Sequence, residues 1–159
     1  MLKAHLGHVT LYADNPDLLG AFYRDLFGME IVGRAPTGSS IFLGGRPQEE
    51  NHEVAFIHNR QAAHLGLKVA SPADLLAYYQ EVKARGLKMG PLYNHGFALS
   101  LFFQDPEGNL LEVYWPTGRE DFAPPVFTPL ELEGQTEESL RRLVAEMPSP
   151  RPLTARQEP

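Results

Sequence analysis

Polar and apolar positions alternate from residue 8 onward. In HVTLYA, His8, Thr10 and Tyr12 fall on one side of an extended strand, and Val9, Leu11 and Ala13 on the other. The period then lengthens. Leu18, Leu19, Phe22, Tyr23, Leu26 and Phe27 follow helical spacing, and Gly28 ends the run. The same two patterns return later. HLGLKVA sets His64, Gly66 and Lys68 against Leu65, Leu67 and Val69, and Leu75, Leu76, Tyr79 and Val82 then continue in helical spacing to Gly86. Each helix is announced in the same way, by Asn15-Pro16 and by Ser71-Pro72, a capping side chain followed by proline at the first helical position.

The two passages are copies. A shift of 56 positions lays His8 on His64, Leu11 on Leu67, Pro16 on Pro72, Leu19 on Leu75 and Tyr23 on Tyr79. Repetition at a fixed spacing is a statement about architecture. Strand-like runs complete each copy: MEIVGR, SSIFLG and HEVAFIH in the first, then ALSLFFQ and LLEVYW in the second, the last two joined by the turn DPEGN. The pattern predicts an α+β fold of two βαβββ modules, about residues 5–59 and 62–116, which form a shared, incompletely closed barrel around a cleft. The apolar face of each opening strand is expected to pack on a helix, with the histidine on the opposite face.

The remainder, 117–159, reads as a proline-rich extension; residues 116–159 hold 8 of the 14 prolines. TEESLRRLVAEM has helical spacing, so a short helix is expected over about 136–147. DFAPPVFTPLELEG is expected to wrap the domain or a partner subunit in extended form, and the last dozen residues to be disordered.

Composition narrows the chemistry. The formal net charge is −6 and no basic block occurs, which argues against nucleic acid as a partner. There is no cysteine, so disulfides and thiolate metal sites are excluded. No run reaches the roughly 20 apolar residues of a membrane span. MLKAHLGHVTLY lacks a long apolar run and a small-residue cleavage pattern, so a cytoplasmic protein is expected.

The last strand sets Leu110, Glu112 and Tyr114 on one face. A carboxylate buried among apolar residues is unfavourable by several kcal/mol without a partner. His8 and His64 recur at one point of two repeats, and with Glu112 they make two imidazoles and one carboxylate. Such a set occupies three corners of an octahedron and leaves three open, which suits non-haem Fe(II). A single histidine would more simply be a surface or core residue; recurrence favours a metal.

The paired modules, His8, His64 and the run FFQDPEGNLLEVYW resemble the vicinal oxygen chelate superfamily, which includes glyoxalase I, bleomycin-binding proteins, epimerases and extradiol dioxygenases. NHEVAFIHNRQAAHLGLKV looks most like the extradiol dioxygenases, which carry His-x-x-Ala-Phe shortly before the second metal histidine. The resemblance implies His8, His64 and Glu112 as metal ligands, and His52 as the catalytic acid and base. It implies Fe(II), with Mn, Zn, Ni or Co as other candidates, a catechol-type aromatic diol and O2 as substrates, and a homodimer. Phe102 stands where those enzymes usually have a tyrosine. His95 is the candidate for their further histidine, on a loop where a solvated residue is the simpler expectation.

Mapped through the repeat, Glu112 falls on Val54, so the first copy offers no fourth ligand, and Glu53 is expected to point away. His5 and His58 read as structural or surface residues, and the Glu49-Glu50 pair as a solvated loop. Two other readings stand beside the dioxygenase. One is a non-redox metalloenzyme of the same superfamily, a lyase, isomerase or epimerase. The other is a metal-free binding or resistance protein, against which the retained triad counts.

Overall fold

The computed structural model describes residues 2–46, 50–119 and 126–149. The first module runs β1 (His5–Tyr12), α1 (Pro16–Phe27), β2 (Glu30–Arg34), β3 (Ser40–Gly44) and β4 (Val54–Ile57). A 3-10 turn, Arg60–Ala62, leads into the second: β5 (His64–Lys68), α2 (Pro72–Ala84), β6 (Met89–Asn94), β7 (Ala98–Gln104) and β8 (Leu110–Pro116). A two-residue strand, β9 (Thr128–Pro129), and α3 (Glu137–Glu146) follow. The caps act as the sequence indicates. Asn15 accepts from the Leu18 amide at 3.0 Å, and Ser71 from the Asp74 amide at 3.1 Å.

The nine strands of the described residues form one open sheet in the order β2-β3-β4-β1-β5-β8-β7-β6-β9. Each module has the same internal order, with its first and last strands parallel neighbours (β1 with β4, β5 with β8). The modules join edge to edge through the antiparallel pair β1–β5. The sheet does not close into a barrel, in keeping with two copied modules around a common cleft.

The apolar faces of the opening strands are covered in part: Ala13 joins the core under α1, and Leu67 and Val69 the core under α2. The order puts β3 and β4 between β1 and β2, so the crossover helix α1 is carried over β3 and β4. There Leu19 and Tyr23 pack on Ile41, Leu43 and Phe56. The outward side chains at the β1–β5 seam stay partly bare: Leu11 is 41% exposed and Leu65 36%. In the second module α2 lies over β7 and β8, and Leu75 and Val82 join Leu99, Leu101 and Val113 in a larger core.

The chain beyond β8 packs on its own second module. Leu130, Leu132, Leu140 and Val144 are buried in that core. Residues 121–125 and 150–159, which include the first part of the expected wrap and most of the expected disordered end, lie outside the described residues.

Candidate metal centre

Three adjacent strands in the middle of the sheet carry the central residues. Pairing sets Gly66 of β5 beside His8 of β1 on one side and beside Glu112 of β8 on the other, with His64 beside Thr10. His8 Nε2 lies 3.0 Å from His64 Nε2 and 3.0 Å from Glu112 Oε2, and His64 Nε2 is 3.2 Å from the same oxygen. Gly66 makes the arrangement possible. A Cβ there would come within 2.3 Å of the His8 ring.

The tautomers follow from the outer partners. Ala62 O, presented by the 3-10 turn, accepts from His64 Nδ1 at 2.7 Å, so Nε2 is the nitrogen turned toward His8 and Glu112, a lone pair for a metal in the neutral ring and a donor to Glu112 in the protonated one. Burial opposes the His64 cation, but the hydrogen bond and charge of Glu112 outweigh it and raise the His64 pKa. Burial likewise pushes the Glu112 carboxyl up, and its bonds to His64 and His8 more than reverse that, holding it well below the usual carboxylate range.

The triangle fits a divalent ion. Bonds of about 2.1 Å set donor atoms about 3.0 Å apart on one face of an octahedron and about 3.4 Å apart in a tetrahedron. The edges of 3.0, 3.0 and 3.2 Å match the octahedral face. Two nitrogens and one carboxylate oxygen are a borderline donor set suited to iron or manganese, and three positions remain for other ligands. Among the described residues, His8, His64 and Glu112 form the one cluster able to hold a metal ion.

The triangle opens on a cleft of about 630 Å³ lined from both modules. His52 is buried there, its ring 4.5 Å from that of His8. Its route is not strand alternation. Val54 belongs to the outward core under α1, so the parity that groups His52 with Val54 would turn both outward. A bend at residues 51–53 carries His52 in, while Glu53 turns away to the Gly45 and Arg46 amides. Asn51 Oδ1 lies 3.2 Å from His52 Nδ1, so with Nδ1 donating, Nε2 is the free acceptor. Burial first, and the neighbouring His8 second, push the His52 pKa down to about 3.

His95 is buried at the opposite side rather than solvated, with Nε2 3.8 Å from Glu112 Oε1. Its pKa is lowered by burial, against the pull of Glu112. The sheet register corrects the mapping of Glu112. Its counterpart beside Thr10 is Ala55, one residue past Val54, because the modules differ by one residue between helix and last strand. Ala55 cannot ligate, so the first module still supplies no carboxylate at that point. Glu50 is not a solvated loop residue. It takes Lys68 Nζ at 2.8 Å and the Tyr114 hydroxyl at 3.2 Å, so a cation and a phenol draw it inward. Glu49 lies outside the described residues. Phe102 lines the cleft with its ring 5.2 Å from that of His64. His5 and His58 are exposed, the latter with Nδ1 3.0 Å from Ala13 O. Val126 and Phe127 also reach the site, although nothing in the spacing of the extension marks them.

Known proteins share this plan. The manganese-dependent 2,3-dihydroxybiphenyl 1,2-dioxygenase of Geobacillus genomosp. 3 is 27% identical over 117 residues, covering 70% of this chain and 36% of that protein. Biphenyl-2,3-diol 1,2-dioxygenase 3 of Rhodococcus globerulus is 27% identical over 120 residues, covering 68% of this chain and 61% of that protein. The crystal structure of the Mn(II)-bound glyoxalase from Novosphingobium aromaticivorans shares the fold at 24% identity and a TM-score of 0.58, over 71% of this chain and 40% of that one. The chain thus spans between 36% and 61% of the length of these curated relatives. The family model for the glyoxalase/bleomycin resistance protein/dioxygenase superfamily matches residues 5–113, and with the copied βαβββ modules it makes this chain a member of that vicinal oxygen chelate superfamily.

Proposed function

We propose that the chain is a metal-dependent extradiol dioxygenase-like enzyme that cleaves a catechol-type ring with O2. The observation that carries the reading is the triangle of His8 Nε2, His64 Nε2 and Glu112 Oε2, with edges of 3.0, 3.0 and 3.2 Å and an apolar cleft in front of it. Two relatives named as dioxygenases of aromatic diols support the substrate class.

His8, His64 and Glu112 would hold the ion, Fe(II) in this proposal, although one relative is named manganese-dependent. A divalent ion supplies Lewis acidity toward the diol and one-electron chemistry toward O2. The protein residues do the rest. Phe102 and its apolar neighbours exclude bulk water. His52, with Nε2 free, takes a proton from a diol hydroxyl and returns it as the ring opens. His95 faces the same space from the other side. In the net reaction the O–O bond and the ring carbon–carbon bond beside the diol break, and both oxygens enter the product. No external reductant is consumed.

One observation favours a second reading, a non-redox metalloenzyme of the lyase, isomerase or epimerase kind. Phe102 puts a phenyl at the position where the ring-cleaving enzymes usually carry a tyrosine, and the phenols that line the cleft, Tyr93 and Tyr114, stand elsewhere on its wall. Titration of anaerobic protein with Fe(II) or Mn(II), followed by oxygen uptake on catechols, separates the two. One tight ion per chain, lost in Glu112→Ala, together with oxygen uptake that His52→Ala reduces by about a hundredfold or more, supports ring cleavage. Tight metal with no oxygen uptake on any catechol sinks it and leaves the second reading.

We further propose that two copies of the chain associate through the exposed face of α1.

A further inference from the structure

The chain beyond β8 returns to the site. Residues 126–130 run antiparallel along the outer edge of β6. Val126 N donates to His95 O at 3.2 Å, Thr128 Oγ1 to Asn94 O at 3.2 Å, and Leu130 N to Leu92 O at 3.0 Å. The strap is held down at its far end, where Leu130 and Leu132 enter the second core with Leu140 of α3.

Two contacts reach the cleft from this strap. Val126 O lies 3.1 Å from His95 Nδ1. A carbonyl only accepts, so Nδ1 carries the proton and the bare Nε2 is turned to the Glu112 side. The Val126 main chain therefore grips His95 twice, once at its backbone and once at its ring. Phe127 lines the cleft, yet it is 65% exposed. Its ring stands edge-on to His95 at 4.9 Å and to Tyr93 at 5.7 Å, and Phe97 stacks on His95 at 6.0 Å. The cleft holds about 630 Å³, whereas a single ring is accommodated in roughly 150 Å³. A ligand held at the triangle leaves most of the cleft, and the exposed face of Phe127, for whatever the ligand carries.

We propose that this strap is a working wall of the site. The Val126 main chain positions His95, and Phe127 sets which apolar substituent a bound ligand can carry. The second half rests on the diol reading above; the first does not. Val126 is a positioning residue, acting through His95, and Phe127 is a specificity residue that the ligand itself covers.

The test has two arms that fail separately. In metal-free, 15N-histidine-labelled protein, the ring nitrogens of His95 are expected to show one tautomer, protonated at Nδ1. Val126→Pro, which removes the amide that grips His95 O, is expected to convert that signal to a mixture. A wild-type ring protonated at Nε2, or a tautomer unchanged in a folded Val126→Pro protein, overturns the positioning claim. Should Val126→Pro not fold, the wild-type tautomer still decides.

In metal-loaded anaerobic protein, binding of catechol is compared with binding of 4-tert-butylcatechol. Phe127→Ala, at an exposed position, is expected to weaken the substituted ligand about tenfold and the plain one less than twofold. Equal effects on both, or none on either, overturn the specificity claim. If the wild-type protein binds neither diol, the functional reading has failed and the specificity claim falls with it, while the tautomer arm stands on its own.

Discussion

Glu112 is almost fully enclosed, 4% exposed, and its carboxylate is held ionised by His64 and His8. Glu112→Gln keeps the shape and an acceptor while removing the charge a divalent ion requires. The metal-free variant loses the pairing of Glu112 with His64 and His8 and should melt below metal-free wild type. Adding Fe(II) or Mn(II) at about a hundredfold above Kd should stabilise the wild type by about 2.7 kcal/mol, roughly 5–10 °C, and the variant not at all. Calorimetry with and without metal checks both statements; an equal metal-induced rise in the variant would remove Glu112 from the site. Gly66→Ala reaches the same end differently. The new Cβ would sit within 2.3 Å of the His8 ring, so the ring must leave its place and metal binding should be lost with it. The triad could be read from the sequence, because a repeated histidine and a glutamate on an apolar strand each need a reason to be there. The role of Gly66 could not, since it depends on the register between two strands far apart in the chain.

The two helices differ in what covers them. Leu140 of α3 is fully buried over the second module, whereas Leu18 of α1 is 64% exposed. Leu140→Ala should lower unfolding free energy by about 2–5 kcal/mol, and Leu18→Ala, made in the Phe22→Glu background where α1 is uncovered, by less than about 0.5 kcal/mol. Urea denaturation measures the pair, and equal losses would contradict the burial described. Helices, caps and most strands were legible because periodicity and capping are local. Three features were not, each for a non-local reason. The β4 register differs from the repeat by one residue, which sends Ala55 rather than Val54 to the cleft. His52 enters through a bend, where alternation carries no information. The strap pairs with β6 through main-chain groups and one threonine, and any sequence could present those carbonyls.

Eight of the nine large apolar side chains exposed among the described residues lie on α1, on β2 or at the β1–β5 seam; the ninth is Phe127. The cause is an asymmetry laid over the repeat. The chain's own α3 packs on α2, whereas no equivalent segment among the described residues covers α1. On α1, Leu18, Phe22 and Leu26 recur every four residues and form one ridge. That ridge is self-complementary about a twofold axis. An antiparallel pair centred on Phe22 sets Leu18 against the partner's Leu26, so a second copy of the chain is the occupant we propose. Light scattering should give twice the chain mass for wild type and once the chain mass for Phe22→Glu. Circular dichroism of that variant should be unchanged, since Phe22 is half exposed and contributes little to the core under α1. A wild-type monomer at tens of micromolar would end the proposal, and so would a Phe22→Glu dimer. The cleft faces away from α1, across the sheet, so loss of the dimer should leave metal affinity intact. If metal affinity fell with the dimer, the second copy would be a support of the centre as well as a cover for the helix.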